Sequence, residues 1–412
     1  MLVSTLCLLA LGIPALAAPK PKPDGSPIKK IHLGPRPFWL VNQMTESPLK
    51  RKLESCSETE MRPTAWSISH RGGGTLQFPE HTESSILAGA RMGAGIQECD
   101  VTFTSDHQLV CRHAQCDLHT TTNVVNTPLN AKCTVPFTPA NATHAATAKC
   151  CTSDFTLAEI KTLCAKMDAS NPKAATTAQY LEGTALWRTD LYAKTCDPVL
   201  TLKEHIKIVD GLGLQFTPEL KAPEVKMPFP AGSDYTTEKY AQQMIDEFKA
   251  AGIKPERVWP QSFVYADVLY WLKAEPKFAK QAVLLDESAD FGPMADSVKN
   301  LTTFKNAGVK IMAPPLPYLV TVEEGKIVPS AYAKEAKKLG LKIITWSLER
   351  SAWLGDGSNG GYYYESIKTV THNEGVVFEL LHVLHKDVGA IGVFSDWSAT
   401  VTYYANCFGL VW

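Results

Sequence analysis

The run His70-Arg71-Gly72-Gly73-Gly74 closes a short alternating segment and is followed by Pro79-Glu80-His81-Thr82, Glu98-Cys99-Asp100 and Arg112-His113. The quoted segments hold three histidines, two arginines and a pair of carboxylates spaced two residues apart. Successive side chains of a strand point to opposite faces, so Glu98 and Asp100 share one face and Cys99 points to the other. Two carboxylates aimed together suit a hard cation such as Mg²⁺ or Ca²⁺. We therefore expect one divalent cation as a cofactor.

Around this region the chain alternates short apolar runs with amphipathic stretches, from Thr64 to the C-terminus. Such alternation is typical of βα units and a parallel sheet. The predicted strands are 65–69, 96–103, 109–112, 214–219, 257–261, 282–285, 309–312, 341–346 and 390–394. The predicted helices include 82–92, 202–209, 238–251, 330–339 and 376–385. About eight βα repeats favour an α/β fold of the TIM (β/α)8 barrel type over an open doubly wound sheet.

Residues from about 114 to 200 interrupt this repeat. They are rich in Thr, Ala, Asn and Cys and lack βα periodicity, so we predict a Cys-rich insertion after the third predicted strand. A connection of this length without regular structure is usually a functional lid or a small subdomain.

The N-terminal part of the chain differs in composition from the rest. Residues 1–18 lack acidic side chains, contain an apolar run and end in Ala15-Leu16-Ala17, which is typical of a secretory signal peptide. Residues 19–57 are rich in Pro and Lys and predict an arm without regular structure. Residues 58–412 are then expected to form the barrel with its insertion. We predict that the protein is secreted or extracellular, and an association with the cell wall stays open.

The cysteines agree with an oxidising compartment. The chain has 11 cysteines, and removal of Cys7 with the signal peptide leaves 10, an even number that predicts disulfides of unknown pairing. A zinc site is the alternative, but the spacings contain no CxxC pair. Asn141 and Asn300 each begin a glycosylation sequon.

The charge balance limits the partners. A formal net charge of -1 provides no basic surface for nucleic acid and no polybasic membrane patch. No segment after the signal peptide is apolar for the ~20 residues that span a bilayer, so no stable membrane insertion is expected. We expect a small-molecule partner. The sequence leaves the oligomeric state open.

The position of the histidines favours a site. His70 and Arg71 follow the alternating Trp66-Ser67-Ile68-Ser69, which puts them at the carboxyl end of the first strand, where TIM-barrel active sites assemble. His113 follows the short predicted strand 109–112, in the position of the next strand's carboxyl end, so it can converge with His70. A lone histidine is more often a packed or surface residue, but here an adjacent arginine can grip phosphate in a bidentate fork.

A second group of charges lies downstream. Glu219 and Lys221 are two residues apart at the end of predicted strand 214–219 and would share a face if the strand persists. This spacing fits two interpretations equally well. Glu219 is a third metal ligand and the Lys221 ammonium faces the phosphate, or the two side chains form a salt bridge at a strand end. Glu98 and Asp100 could likewise be surface acids, but carboxylates are rarely buried unpaired inside a barrel.

These motifs resemble those of the glycerophosphodiester phosphodiesterases: an HR pair, a Glu-x-Asp pair and a second histidine. The resemblance runs through the segments quoted above and 93–101, and continues more weakly at Glu219-Leu220-Lys221, Gln261-Ser262-Phe263, Thr345-Trp346 and Phe394-Ser395-Asp396. It implies a TIM barrel that hydrolyses glycerophosphodiesters, such as glycerophosphocholine, to sn-glycerol 3-phosphate and an alcohol. The insertion lies outside the common core.

The resemblance also implies roles for individual residues. His70 and His113 look like the general acid/base pair, and Arg71 and Lys221 look like phosphate binders. The expected metal ligands, for Mg²⁺ or Ca²⁺, are Glu98, Asp100 and Glu219. Phe263 and Trp346 are near predicted strand ends and could line the substrate pocket or pack in the core.

The chain departs from the family pattern at two positions. His81 stands where the family usually has Asn, and Ala114 follows His113 where Asp is common. Neither change removes a predicted metal ligand or an acid/base histidine. Two rival functions remain: a barrel phosphodiesterase acting on lysophospholipid or sphingolipid, which would need an exposed apolar rim, and a non-catalytic barrel that only binds its ligand. The polar, Thr-rich insertion gives no sign of such a rim.

Overall fold

In the computed structural model, which describes residues 28, 30–193 and 195–410, eight parallel strands close into a barrel. The predicted signal peptide, residues 1–18, lies outside the described residues. The barrel strands are β1 (Thr64–Ser69), β2 (Ala94–Phe103), β3 (Gln215–Leu220), β4 (Gln261–Ser262), β5 (Val283–Leu285), β6 (Ile311–Ala313), β7 (Lys342–Leu348) and β8 (Gly392–Ser395). Pairing of β1 with both β2 and β8 completes the closure.

A helix follows each barrel strand, so the predicted (β/α)8 architecture is confirmed. These helices are Glu83–Arg91, Leu202–Gly211, Thr237–Ala250, Tyr265–Ala274, Met294–Asn306, Ala331–Lys338, Val376–Val383 and Ser398–Cys407. Helix Ser398–Cys407 is not among the predicted helices, and its residues are buried on nearly every side. A helix without a solvent-facing stripe has no amphipathic period to detect.

The predicted strand 109–112 is not a barrel strand. Leu109–Cys111 pairs antiparallel with the end of β2, Val101 opposite Cys111. Only five residues, 104–108, connect the two strands, whereas a parallel crossover needs a dozen or more. The expectation that His113 sits at the end of the next barrel strand is therefore wrong. The hairpin instead returns it towards β2, since the Arg112 N–H donates to the Asp100 carbonyl at 2.8 Å.

The insertion has its own hydrophobic cluster, built around Leu118, Val125, Phe155, Ile160 and Tyr180. Short elements surround it: helices Leu118–Thr121, Leu157–Ile160 and Thr177–Tyr180, and a hairpin of Val135–Thr138 with Thr147–Lys149. The insertion contains the disulfides Cys116–Cys151, Cys133–Cys150 and Cys164–Cys196. Covalent links and a separate cluster together explain how so irregular a segment holds one shape.

The N-terminal segment differs from the predicted arm in its second half. Helices Arg36–Gln43 and Pro48–Glu54 lie there, and Leu40, Val41 and Leu53 are buried in the main core. A disulfide joins Cys56 to Cys407 of the last helix. So few apolar residues, on two short helices, do not produce a sustained period.

The barrel interior explains where the polar site lies. Its apolar layer consists of Ile68, Ile96, Val283, Leu285, Ile311, Ala313, Ile344 and Phe394. Because Ile96 points inward, alternation along β2 also turns Glu98 and Asp100 inward, while Cys99 and Val101 pack outward against the helices. The carboxylates thus lie above the apolar layer, towards the carboxyl ends of the strands.

The connection after β6 contains additional regular structure. Helix Leu316–Leu319 and the hairpin Val320–Glu323 with Lys326–Pro329 follow β6. Within the described ranges, no helix is long and apolar enough to cross a membrane.

Candidate active site

The turn after β1 carries His70 and Arg71 into the barrel mouth. Arg71 has a left-handed backbone, with φ of 52°, and its N–H donates to Glu98 Oε2 at 2.7 Å. Gly73 follows with φ of 76°, and a Cβ there would come within 2.2 Å of the Ser398 hydroxyl oxygen. The glycine therefore permits a turn that packs tightly on the last helix, and the turn ties Arg71 to β2.

Three buried carboxylates meet at this mouth. Asp100 of β2 lies directly opposite Glu219 of β3, and one oxygen from each of Glu98, Asp100 and Glu219 lies within 4.8 Å of the others. Burial, followed by the charges of the two neighbouring acids, raises the pKa of Glu98 well above its ordinary value. Burial also raises the pKa of Glu219 to about 8, although Lys221 acts in the opposite direction. Each negative charge raises the free-energy cost of ionising the neighbouring carboxyl groups.

The donor set fits a divalent cation. Carboxylate oxygens are the ligands that Mg²⁺ and Ca²⁺ take. Asp100 Oδ1 is buried and, within the described part of the chain, has no hydrogen-bond partner, while Asp100 Oδ2 lies 2.7 Å from His81 Nε2. Glu98 Oε1 accepts from Gln261 Nε2 at 3.1 Å. The three predicted ligands therefore come together, and Asp100 Oδ1, which accepts no hydrogen bond from the described residues, is available to ligate a cation.

Lys221 borders the carboxylates. Its Nζ lies 2.6 Å from Glu219 Oε1 and 3.9 Å from Asp100 Oδ1. The same ammonium stands 5.8 Å from the centre of the Phe263 ring. Phe263 packs edge to face with Trp346, with ring centroids 5.7 Å apart. Both aromatic rings cover the apolar layer of the barrel interior, so the two predicted pocket residues form a wall beside Lys221.

His70 is held by the last strand. Its Nδ1 lies 2.7 Å from Asp396 Oδ1 and 2.9 Å from the Ser347 hydroxyl. An ionised carboxylate there favours the proton on Nδ1, which leaves the lone pair on Nε2. Burial lowers the pKa of His70 to about 4 and outweighs Asp396, which raises it. Burial thus favours the neutral imidazole, whose free Nε2 can accept a proton.

His113 lies in the same electrostatic environment. Burial lowers its pKa well below the ordinary value, and the positive charges of Arg71 and Lys221 act in the same direction. Asp100 and Glu80 oppose this shift. The predicted catalytic, phosphate-binding and metal-ligating residues thus lie together at the barrel mouth. They interact with one another there or belong to neighbouring strand ends.

Arg71 is not free in this arrangement. Its Nη1 lies 2.9 Å from Glu80 Oε2, and the side chain is almost completely buried. Glu80, Asp396, Arg350 and Arg188 extend the site beyond the predicted residues. Two of them belong to segments that resemble the family: Glu80 lies in Pro79-Glu80-His81-Thr82, and Asp396 ends Phe394-Ser395-Asp396. Arg188 comes from the insertion, where no pattern marked it.

His81 takes part in the carboxylate cluster. It replaces the Asn that is usual at this position, and its Nε2 contacts Asp100 at 2.7 Å. Burial lowers its pKa, and Asp100 opposes that shift. The ring is fully enclosed, so this departure from the family pattern orients a predicted ligand instead of disrupting the cluster.

Several exposed apolar side chains lie in the insertion and in the connections after barrel strands, contrary to the expectation from the polar insertion. Leu186 is 83% exposed and Phe291 82%. Leu186 belongs to the insertion, and Phe291 lies in the connection after β5. Leu191, Trp353 and Tyr362 are also exposed, in the insertion and in the connection after β7. The loops after barrel strands lie at the carboxyl face, so these side chains form a discontinuous apolar rim.

The fold and these residues together define a (β/α)8-barrel phosphodiesterase. The chain belongs to the glycerophosphoryl diester phosphodiesterase family, whose sequence model matches residues 70–396. A protein of Arthroderma benhamiae named only "Extracellular protein" is 46% identical over 247 residues, which cover 59% of this chain and 100% of that protein.

Solved structures share the architecture. A candidate glycerophosphoryl diester phosphodiesterase from Silicibacter pomeroyi superposes with a TM-score of 0.54 at 18% identity, covering 88% of this chain and 99% of its own. A phosphodiesterase from Oleispira antarctica, solved with the product sn-glycerol-3-phosphate, has a TM-score of 0.49 at 16% identity, covering 82% and 96%. At 18% identity the likeness to the Silicibacter pomeroyi structure bears on the fold alone.

Proposed function

We propose that this protein is a secreted, divalent-metal-dependent hydrolase that cleaves glycerophosphodiesters, such as glycerophosphocholine, to sn-glycerol 3-phosphate and an alcohol. The observation that carries the proposal is the meeting of three buried carboxylates with one oriented histidine at the barrel mouth. Membership of the family supports the reaction class. Substrate, metal dependence and secretion are the finer parts of the proposal.

Glu98, Asp100 and Glu219 would hold the cation, Mg²⁺ or Ca²⁺. When bound, the cation supplies positive charge next to the phosphoryl oxygens, whose negative charge grows in the transition state. Arg71 and Lys221 would bind the same oxygens, and both already lie within 4 Å of Asp100. Phosphate binding by Arg71 would compete with Glu80, which holds that guanidinium in the free protein.

The two histidines would move the protons. His70 has Nδ1 directed at Asp396, so Nε2 can accept the proton of the nucleophile, which is water or the glycerol hydroxyl of the substrate. If the glycerol hydroxyl attacks, the first product would be a cyclic phosphate, which water would then open to sn-glycerol 3-phosphate. As the new oxygen–phosphorus bond forms and the ester bond breaks, His113 would donate a proton to the leaving alcohol. The approaching phosphate anion favours the protonated form of His113, because an opposite charge raises an imidazole pKa.

Secretion rests on several independent features. The predicted signal peptide, the disulfides, and a relative named as extracellular all agree with it. The acceptor residues Asn141 and Asn300 are both exposed, as glycosylation requires.

The test is the identity of the products. Purified mature protein with glycerophosphocholine and Mg²⁺ or Ca²⁺ should release choline together with sn-glycerol 3-phosphate, whose ³¹P NMR signal distinguishes it from the diester and from phosphocholine. His70→Ala and Glu98→Ala should abolish release. Undiminished, metal-independent turnover by either variant would contradict the site assignment, and no turnover of any diester would favour a non-catalytic binding barrel.

A lipid substrate is a second candidate, and the apolar rim favours it. Leu186 and Phe291 could enter a lipid aggregate while the barrel mouth faces the head groups. Lysophosphatidylcholine in micelles should then be cleaved faster than glycerophosphocholine. Leu186→Ser with Phe291→Ser should slow cleavage of the lipid alone, and an equal loss with both substrates would argue against the rim.

A further inference from the structure

The insertion sends one charged side chain into the active site. Arg188 is 7% exposed, and its Nη2 lies 2.5 Å from Asp396 Oδ2. Asp396 itself is fully buried, and its other oxygen, Oδ1, lies 2.7 Å from His70 Nδ1. One carboxylate therefore bridges a guanidinium of the insertion and the histidine at the end of β1.

A barrel residue shares this contact. Arg350, in the connection after β7, places Nη1 at 2.9 Å from the same Asp396 Oδ2. Two guanidinium groups thus donate to one carboxylate oxygen, and the other oxygen remains for His70. Charge-assisted bonds to carboxylates are short and directional, so this arrangement fixes the plane of the carboxylate.

Residues next to Arg188 hold this segment against the barrel through their own contacts. The Thr189 N–H donates to the Leu76 carbonyl at 3.0 Å, and the Tyr192 ring stacks on Phe78 at 4.7 Å with planes 8° apart. Both partners belong to the connection after β1, which also carries His70. The position of Arg188 is therefore set by contacts that do not involve its guanidinium.

We propose that Arg188 is a positioning residue: it holds Asp396, and through Asp396 the imidazole of His70, so that the Cys-rich insertion completes the active site. The inference rests on the proposed function, since it takes His70 as an acid/base group. Without Arg188, Arg350 is the one partner that Asp396 Oδ2 keeps among the described residues, and the carboxylate gains freedom to rotate away from His70. The tautomer with the proton on Nδ1 is then less strongly imposed.

A double-mutant cycle tests this coupling. Arg188→Gln should lower kcat by about 10- to 100-fold, the range for residues that orient a functional group, with a smaller change in KM. Arg188→Lys should restore part of the loss, because an ammonium can donate to Oδ2. In a protein that already carries Asp396→Asn, adding Arg188→Gln should lower kcat little further, since the two residues act as one unit.

The control is Lys132→Gln, which removes an exposed ion pair with Glu159 elsewhere in the insertion and should leave kcat unchanged. Fully additive losses in the cycle, or no recovery with Arg188→Lys at an unchanged melting temperature, would overturn the proposal.

A spectroscopic measurement separates this proposal from the proposed function. The ¹⁵N signals of the His70 ring should report a proton on Nδ1 in the wild type and a mixture of tautomers in Arg188→Gln. Identical ring signals in the two proteins would overturn the coupling, whether or not any diester is hydrolysed. A changed tautomer in a protein that hydrolyses nothing would leave the coupling intact and reject the activity.

Discussion

Asp100 and Glu219 lie directly opposite each other on neighbouring parallel strands, and their carboxylates point into the same barrel mouth. Residues in register on adjacent strands share a face of the sheet. Backbone hydrogen bonding thus places two like charges side by side, and Glu98, two residues earlier on β2, adds a third. Such crowding is costly without a compensating positive charge, which Lys221 provides only in part.

Cation binding should therefore stabilise the fold. A cation present at 100 times its Kd adds about 2.7 kcal/mol to the free energy of unfolding, so the melting temperature should rise when Mg²⁺ or Ca²⁺ is added after EDTA. Glu219→Gln should reduce this rise. Glu247, a buried carboxylate on the helix Thr237–Ala250, gives the control variant Glu247→Gln, which should retain the full rise in melting temperature. An equal rise in Glu219→Gln would remove Glu219 from the ligand set.

Loss of the carboxylate that contacts His70 should impair turnover more than binding. Asp396→Asn keeps the shape but no longer favours a proton on His70 Nδ1. General acid–base catalysis contributes about 10²- to 10⁴-fold, so we expect kcat to fall by at least about 10²-fold with a modest change in KM. Asp267→Asn, a buried acid that accepts from Ser262 at 2.9 Å, serves as the control. A wild-type kcat in Asp396→Asn would show that this contact is dispensable.

The disulfide between Cys99 and Cys111 should matter for stability and for activity. It closes a loop with a sequence separation of 12 residues, for which chain entropy gives about 3 kcal/mol. The double variant Cys99→Ala, Cys111→Ala should lose about that much in urea unfolding. Because Cys111 lies two residues before His113, kcat should fall as well. A fall in stability with unchanged kcat would mean that backbone pairing alone positions His113.

A buried acid at the start of the insertion should make stability depend on pH. Burial raises the pKa of Asp117 to about 7, against Arg112, which lowers it. Since the folded pKa lies above the unfolded value, the folded state binds the extra proton, and stability falls as pH rises from about 4 to 7. Between pH 5 and pH 8, ionisation of Asp117 should lower the free energy of unfolding by about 3 kcal/mol.

Asp117→Asn isolates that contribution. The amide cannot ionise, and its oxygen can still accept from the Ala114 N–H, which donates to Asp117 at 3.0 Å. Relative to the wild type, the variant should gain unfolding free energy between pH 5 and pH 8. Parallel pH profiles for the two proteins would contradict the raised pKa.

Sequence periodicity predicted the barrel and the placing of several candidate residues at its mouth, whereas the roles proposed for these residues came from the family resemblance. Alternation along a strand placed Glu98 and Asp100 together, and the ends of β1 and β3 supplied His70 and Glu219. These are local patterns, which a single sequence records directly. The strand 109–112 was found too, but its direction depends on connection length, and periodicity does not contain that information.

Residues that reach the site through tertiary contacts left no such pattern. Arg188 approaches Asp396 across 208 positions of sequence, and disulfides hold the segment that carries it. The helices at 36–43 and 48–54 depend in the same way on packing against the barrel's outer core. Their positions follow from folding of the whole chain and not from any local preference.

The central claim is a metal-dependent cleavage of a glycerophosphodiester at this barrel mouth. The most direct measurement is release of sn-glycerol 3-phosphate from glycerophosphocholine by the purified mature protein, first with EDTA and then with Mg²⁺ or Ca²⁺ restored. We predict no release with EDTA, recovery with the cation, and no recovery in Glu98→Ala. Release that persists in EDTA, or its absence with every cation, would contradict the account.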